Sequence, residues 1–187
     1  MRIAYADPPY PGCAHLYADH PDYAGEVDHV ALIHHLHEVY DGWALSTSSK
    51  ALQEVLAMCP GVVRVLIWVK NTVRYAWEPV IIESARPPDS NLRDWIHAEV
   101  DAYQWRAQPE SYVIGQKPDV FSRWLFAWLG ADPADEFTDL FPGSGAVGRE
   151  WDRFVTQTQL MPAVSRNLRA EKRARAKALR QHPRLDV

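Results

Sequence analysis

The chain reads as an α/β protein built on a mostly parallel sheet with helices on both faces. Three observations predict this. Short apolar runs alternate with longer amphipathic stretches, the pattern of strand and helix laid down in turn. The first such run, residues 1–6, stops at Asp7-Pro8-Pro9-Tyr10, where two prolines remove the donors a ladder needs. The last, residues 136–141, runs into Pro142-Gly143-Ser144-Gly145 and then a helical stretch. Strand, glycine turn and helix in that order make a ligand-binding unit.

Each element follows from local chemistry. Residues 1–6 are a short buried strand. Residues 11–26 are rich in Pro, Gly, Asp, His and Tyr, a composition of turns, and predict an exposed lid whose candidate substrate contacts are Asp19, His20, Asp22 and Tyr23. Residues 26–40 place Val30, Ile33, Leu36 and Val39 or Tyr40 at helical spacing, closed by Asp41-Gly42. Residues 42–47 then read as a strand, 49–59 as a helix and 62–69 as a buried strand. Residues 77–84 predict another strand, with Pro79 arguing for an edge position or an irregular start. After Pro87-Pro88 the pattern predicts a loop and a short helix over SNLRDWI. Lys117-Pro118 opens a strong helix, PDVFSRWLFAWLG, with proline in its first turn and Gly130 as its stop. Residues 136–141 are the last strand, and AVGREWDRFV is the helix beyond the glycine turn. Trp68, Lys70, Trp77 and Glu78 follow strand ends near the rim of the expected pocket, although core packing explains the tryptophans equally well.

The 187 residues, 47% hydrophobic, suffice for one sizeable core, so residues 1–160 are expected to form one domain and 161–187 a basic helical tail. The N-terminus lacks the order of a secretory signal, and no apolar run approaches the ~20 residues of a membrane helix, which predicts a soluble, cytoplasmic protein without a membrane partner. Cys13 and Cys59 form no CxxC or zinc-type spacing and indicate neither a disulfide framework nor a structural metal. The net charge of −4 is unevenly laid out. Residues 162–187 carry eight basic against two acidic residues, net +6, and the remainder carries 12 basic and 22 acidic, net −10. Lys and Arg clusters bind nucleic-acid backbones by releasing counterions, which nominates Arg166, Arg169, Lys172, Arg173, Arg175, Lys177 and Arg180 as phosphate contacts. A solvated tail that contacts nothing is the competing reading.

Two constellations carry chemistry. In Asp139-Leu140-Phe141-Pro142-Gly143-Ser144-Gly145 the glycines let backbone approach a ligand, and the following helix offers free N–H groups to its polar end. The segment lacks GxGxxG and GK[ST], so phosphate-binding NTPase chemistry is disfavoured. In Asp7-Pro8-Pro9-Tyr10 a rigid corner holds a carboxylate, a backbone carbonyl and an aromatic face in fixed relation. An aromatic amine is a poor nucleophile because its lone pair is delocalised. Acceptors at Asp7 and the Pro8 carbonyl would turn that lone pair out of the ring while Tyr10 stacks on the base, worth ~1 to 3 kcal/mol.

With these motifs the sequence resembles the nucleobase amino-methyltransferases, above all the adenine-N6 DNA methyltransferases of permuted, beta-type motif order. Residues 7–10 look like the catalytic motif, Gly115-Gln116-Lys117-Pro118 like the segment before the cofactor strand, and residues 139–145 like the cofactor glycine loop. The resemblance implies a Rossmann-like S-adenosylmethionine-dependent fold. It assigns catalysis to Asp7, Pro8, Pro9 and Tyr10. It assigns cofactor contacts to Ala6, Asp7, Ser46, Lys117, Pro118, Asp139, Phe141, Gly143, Ser144 and Gly145. Tyr at the fourth motif position with Asp first leans towards adenine, in DNA with the base flipped out or unpaired.

Two departures stand out. In the family the helix after the glycine loop leads to a strand ending in an acidic residue that binds the cofactor ribose, and FVTQTQLMP holds none. No segment is long enough for a target-recognition domain, which implies a compact phage-like form, or base recognition shared with a partner subunit or a second copy in a homodimer. An amino-methyltransferase on RNA or on N4 of cytosine, and a non-catalytic nucleic-acid-binding module, stay as alternatives. His29, His34, His35 and His37 lie on or near one helix without HExxH-type spacing, so no metal is expected.

Overall fold

The computed structural model describes residues 1–19, 23–72, 76–99 and 116–160. Among these residues, the strands are β1 (Arg2–Ala6), β2 (Gly42–Ser46), β3 (Arg64–Val69), β4 (Trp77–Glu83), β5 (Trp95–His97) and β6 (Glu136–Asp139). They form one sheet in the order β5-β3-β4-β2-β1-β6. All neighbours pair in parallel except β4, which runs antiparallel between β2 and β3. The helices are α1 (His29–Val39), α2 (Leu52–Met58), α3 (Asp119–Leu129) and α4 (Ala146–Leu160). No helix among the described residues is long and apolar enough to cross a membrane.

Strand alternation divides the core in two. Ile3 and Tyr5 of β1, Ala44, Leu66, Trp68, Val80 and Ile82 share one face, packed with Phe121, Leu125, Phe126 and Leu129 of α3 and Trp151 of α4. Ala4 and Ala6, Trp43, Leu45 and Ile81 share the other, packed with Ile33 and Leu36 of α1 and Val55 of α2. Full burial of one large apolar side chain contributes about 1.5 to 3 kcal/mol, so both faces must be covered, and the helices divide accordingly. At the β6 edge Trp151 stacks on Phe137 with ring centroids 5.0 Å apart.

Helix α1 starts where Asp28 caps it, its carboxylate accepting from Ala31 N at 2.9 Å. Its buried face is His29, Ile33 and Leu36, with Tyr40 packing beyond its end; Val30, expected on that face, is 59% exposed. Helix α3 ends at Gly130 in the left-handed region, as the glycine predicts, whereas Pro118 is the residue before the helix rather than part of its first turn.

Three further expectations need correction. The strand with Pro79 is central, not an edge. Proline is tolerated because its carbonyl accepts from Thr47 N, just past the end of β2, so the missing N–H falls beyond the last β2–β4 pair, Ser46 with Val80. The segment SNLRDWI forms no helix: Trp95–His97 is a strand parallel to β3 at the sheet edge. Finally, the helix after the glycine turn runs on to Leu160, so FVTQTQL is helical, with Thr156, Gln157 and Thr158 on its exposed face. Residues 161–187, with every basic residue nominated there, lie outside the described residues.

Candidate active site

The ends of β1, β3 and β6 and the start of the reversed β4 meet at one edge of the sheet, around a cavity of about 600 Å³. A crevice beyond the carboxyl ends of parallel strands is where open α/β sheets take ligands. β1 delivers Asp7, Pro9 and Tyr10 to it, β3 Lys70, β4 Glu78, the turn before α3 Lys117, and β6 with its glycine turn residues Asp139 to Ser144.

Lys117 is 4% exposed, and an ammonium so buried persists only when paired. Its Nζ lies 2.9 Å from Asp7 Oδ2 and donates to Glu78 Oε1 at 2.7 Å. Glu78, equally buried, accepts from Lys70 Nζ through its other oxygen at 2.6 Å. Both ammonium groups lie against the Trp68 ring, at 4.5 Å for Lys70 and 5.2 Å for Lys117. The row Asp7, Lys117, Glu78, Lys70 thus alternates in charge and is neutral as a whole. Burial alone would lower the Lys117 pKa, but Asp7 and Glu78 outweigh it and hold the ammonium well above its usual value. Burial likewise opposes ionisation of Glu78, yet Lys117 and Lys70 bring its carboxyl below the usual range. At Asp7 desolvation wins over Lys117, and the carboxyl lies above the ordinary carboxylate value.

Aromatic groups close the site. Burial pushes the Tyr10 phenol well up, so it is neutral and presents a ring and a hydroxyl. Tyr5 is buried beside it and shares a 2.8 Å hydrogen bond with Ser46 Oγ. The expected lid carries a 3-10 turn, Ala14–Tyr17, stitched by Cys13 N donating to Tyr10 O at 2.8 Å. Glu26 gathers the loop by accepting from Gly12 N and Ala14 N, each at 3.3 Å. Tyr17 and Tyr23 from this loop line the cavity; Asp19 does not, and His20 and Asp22 lie outside the described residues.

The opposite wall is the glycine turn. Leu140 N donates to Tyr5 O at 2.9 Å, which sets the loop beside the end of β1. Gly143 and Gly145 take φ of 47° and 70°, a region that side chains with a Cβ rarely adopt. Asp139 Oδ1 is buried with no hydrogen-bond partner among the described residues. Desolvation raises its pKa to about 6, opposed by the Phe141 N–H. A raised carboxyl pKa means that ionisation opposes folding: this group's contribution falls as pH rises from 4 to 6 and is then constant. At about 1.4 kcal/mol per pKa unit, reduced for its partial exposure, Asp139→Asn should stabilise the fold by about 1 to 2 kcal/mol at pH 7.5. Thermal melts should show that gain shrinking at pH 5. A gain that does not depend on pH would refute the cause assigned here.

The cavity thus brings together Asp7, Pro9, Tyr10, Lys117, Asp139, Phe141, Gly143 and Ser144 of the residues the sequence nominates. Ala6 and Pro8 are buried and do not line it, nor do Pro118 and Gly145, which adjoin lining residues in the chain. Ser46 is fully buried and engaged by Tyr5 rather than open to the cavity. Lys70 and Glu78, expected at a rim, pair with each other and, through Glu78, with Lys117. Among the described residues no three His, Cys, Asp or Glu side chains converge as metal ligands. The helix histidines have separate partners: His37 Nδ1 meets Glu83 at 2.9 Å and His34 Nδ1 meets Glu38 at 3.2 Å.

No protein-family model matches the chain, and no curated protein matches it in sequence. Among solved structures it is similar to the crystal structure of the M1.HpyAVI–SAM complex, with a TM-score of 0.52 and 14% identity over 82% of this chain and 78% of that one. At that identity the likeness shows the fold, a Rossmann-like α/β sheet shared with a protein crystallised with SAM.

Proposed function

We propose that the chain transfers a methyl group from S-adenosylmethionine (SAM) to the exocyclic N6 amino group of adenine in DNA. One observation carries this reading: Asp7-Pro8-Pro9-Tyr10 and the 139–145 glycine turn, 132 residues apart at their first residues, flank a single cavity. The order of the two, amine motif first and glycine turn last, is the permuted order of the family the sequence resembles. The fold likeness to a SAM-bound protein adds support.

The residues present suit the cofactor. Asp139 Oδ1, buried without a partner, is an acceptor for a cationic or hydroxyl-bearing ligand, and the turn's glycines leave no Cβ in the ligand's way. Phe141, Gly143, Ser144 and Asp139 would hold it, with Tyr10 and Pro9 on the side of the base. When bound, SAM would supply a methyl on a sulfonium sulfur, the C–S electron pair staying on sulfur as the amine lone pair forms the N–C bond, and the Asp7 carboxylate would accept the proton that the nitrogen loses. Asp7 and the Pro8 carbonyl accept the two amine hydrogens and direct the lone pair, Tyr10 stacks on the base, and the loop with Tyr17 and Tyr23 excludes water. Residues 161–187 supply phosphate contacts in this reading.

Labelled SAM offered with duplex DNA, single-stranded DNA, single-stranded RNA and free nucleosides tests it. The expected result is label in DNA, recovered as N6-methyladenine. Label in RNA, or at N4 of cytosine, would keep the chemistry and move the substrate. The missing ribose-binding acid favours a second reading, a nucleic-acid-binding module without catalysis. Calorimetry separates the two, because millimolar SAM giving no heat would leave only the module. Asp139→Asn should weaken SAM binding about tenfold or more despite stabilising the fold, as a charge-assisted contact is worth about 1.5 to 3 kcal/mol.

A further inference from the structure

We propose that Glu78 and Lys70 are positioning residues for this transfer: Glu78, anchored by Lys70, clamps the Lys117 ammonium against Asp7 Oδ2 and leaves Oδ1 to the target amine. The inference rests on the reading of Asp7 as the amine acceptor, and it follows from three features of the site. A lysine ammonium ends a chain of four rotatable carbons, so one contact with Asp7 would fix neither group. Glu78 Oε1 at 2.7 Å supplies the second contact, and Lys70 Nζ at 2.6 Å holds Glu78 in turn.

The second feature is cost. Glu78 and Lys117 are each 4% exposed, and a buried ion pair contributes little stability that apolar residues of the same size would not. A positioning role accounts for charges kept where packing alone would favour apolar side chains. The third is topology. β4 is the reversed strand, so its start, not its end, lies beside the ends of β2 and β3. Trp77–Glu83 thereby sets Glu78 opposite Lys117 across the cavity floor, while Lys70, on Trp68 and 18% exposed, connects the row to solvent. With four members of alternating sign, Asp7 can be anionic without an uncompensated charge beneath the substrate.

Full-length Glu78→Gln, Lys70→Met and Lys70→Arg test the clamp. Misplacing a reacting group by about 1 Å can cost about 100-fold, so Glu78→Gln should lower kcat about 100-fold while the KM for SAM changes by about threefold or less. Lys70→Met should lower kcat about tenfold and Lys70→Arg, which keeps the charge, about twofold or less. In Glu78→Gln the Asp7 carboxyl, followed by carbon-13 NMR, should titrate at lower pH than in wild type, because Glu78 raises it. The acid limb of the pH–rate profile should move with it. Unchanged kcat in Glu78→Gln, or equal losses in the two Lys70 variants, would overturn the clamp. If wild type transfers no methyl to any acceptor, the reading of function fails on its own. The NMR titration then still decides the clamp, which an unmoved Asp7 resonance in Glu78→Gln refutes.

Discussion

Asp7→Ala should reduce methyl transfer about 10³-fold in kcat/KM, the scale of losing one acceptor or donor aimed at developing charge. The site explains why the loss should fall on chemistry and not on folding. Asp7 is about a fifth exposed at the cavity (22%), and desolvation already holds its pKa up, so removing the carboxylate relieves a cost. Lys117 keeps Glu78 as a partner at 2.7 Å, so no charge is stranded by the change. The melting temperature of Asp7→Ala should therefore stay within a few degrees of wild type. Asp7→Asn separates charge from shape. It retains an acceptor oxygen of the right length, and should keep about a tenth to a hundredth of wild-type activity, with its pH–rate profile losing the acid limb that Asp7 ionisation creates. Initial rates with labelled SAM and DNA measure all three proteins. Equal rates for wild type and Asp7→Ala would remove Asp7 from the mechanism and the proposed function with it.

The corner at Asp7 is legible because its signal is local, a strand's apolar run broken by two prolines, whereas its place in a site needed the glycine turn far along the chain that lines the same cavity. Equally local are the signals for Gly130 as a helix stop, for Gly143 and Gly145 in a turn, and for the two-sided core, which the alternation of Ile3, Ala4, Tyr5 and Ala6 already encodes. The misreadings share a different character. Whether proline suits a central strand depends on which neighbour faces it, and Pro79 fits because β2 stops at Ser46, a relation across the sheet. Trp95–His97 is too short to show a period and becomes a strand because β3 offers an unpaired edge. Ser46 looks open to the pocket from its place at a strand end, but Tyr5 on the neighbouring strand takes its hydroxyl. Above all, the Lys117–Glu78 pair spans 39 residues and two elements, and no period or motif announces an ion pair closed by tertiary packing.

That pair sets the second large effect, on stability. Lys117→Met should cost about 3 to 5 kcal/mol, because it leaves the carboxylates of Asp7 and Glu78 in the cavity floor with only Lys70 to oppose them. For a chain of this size that is a fall in melting temperature of about 6 to 20 °C. The pH dependence identifies the cause. Lys117 and Lys70 lower the Glu78 pKa, so in wild type this contribution is present above the unfolded carboxylate value and is lost as pH falls through the folded one. In Lys117→Met the stranded carboxylates relax by taking up protons. The gap between the two proteins should therefore narrow on going from pH 7.5 to pH 4. Pairing the change with Glu78→Leu removes the stranded charge, and Lys70, 18% exposed, can turn to solvent. The double variant should recover more than half of the lost stability, a coupling that a double-mutant cycle reads directly. Its methyl transfer should nevertheless stay as low as that of Lys117→Met, since packing is restored and the group that holds Asp7 is not. Strictly additive losses in the two single variants and the double would mean that Lys117 and Glu78 are not a unit, and the charge row in the cavity floor would have no energetic meaning.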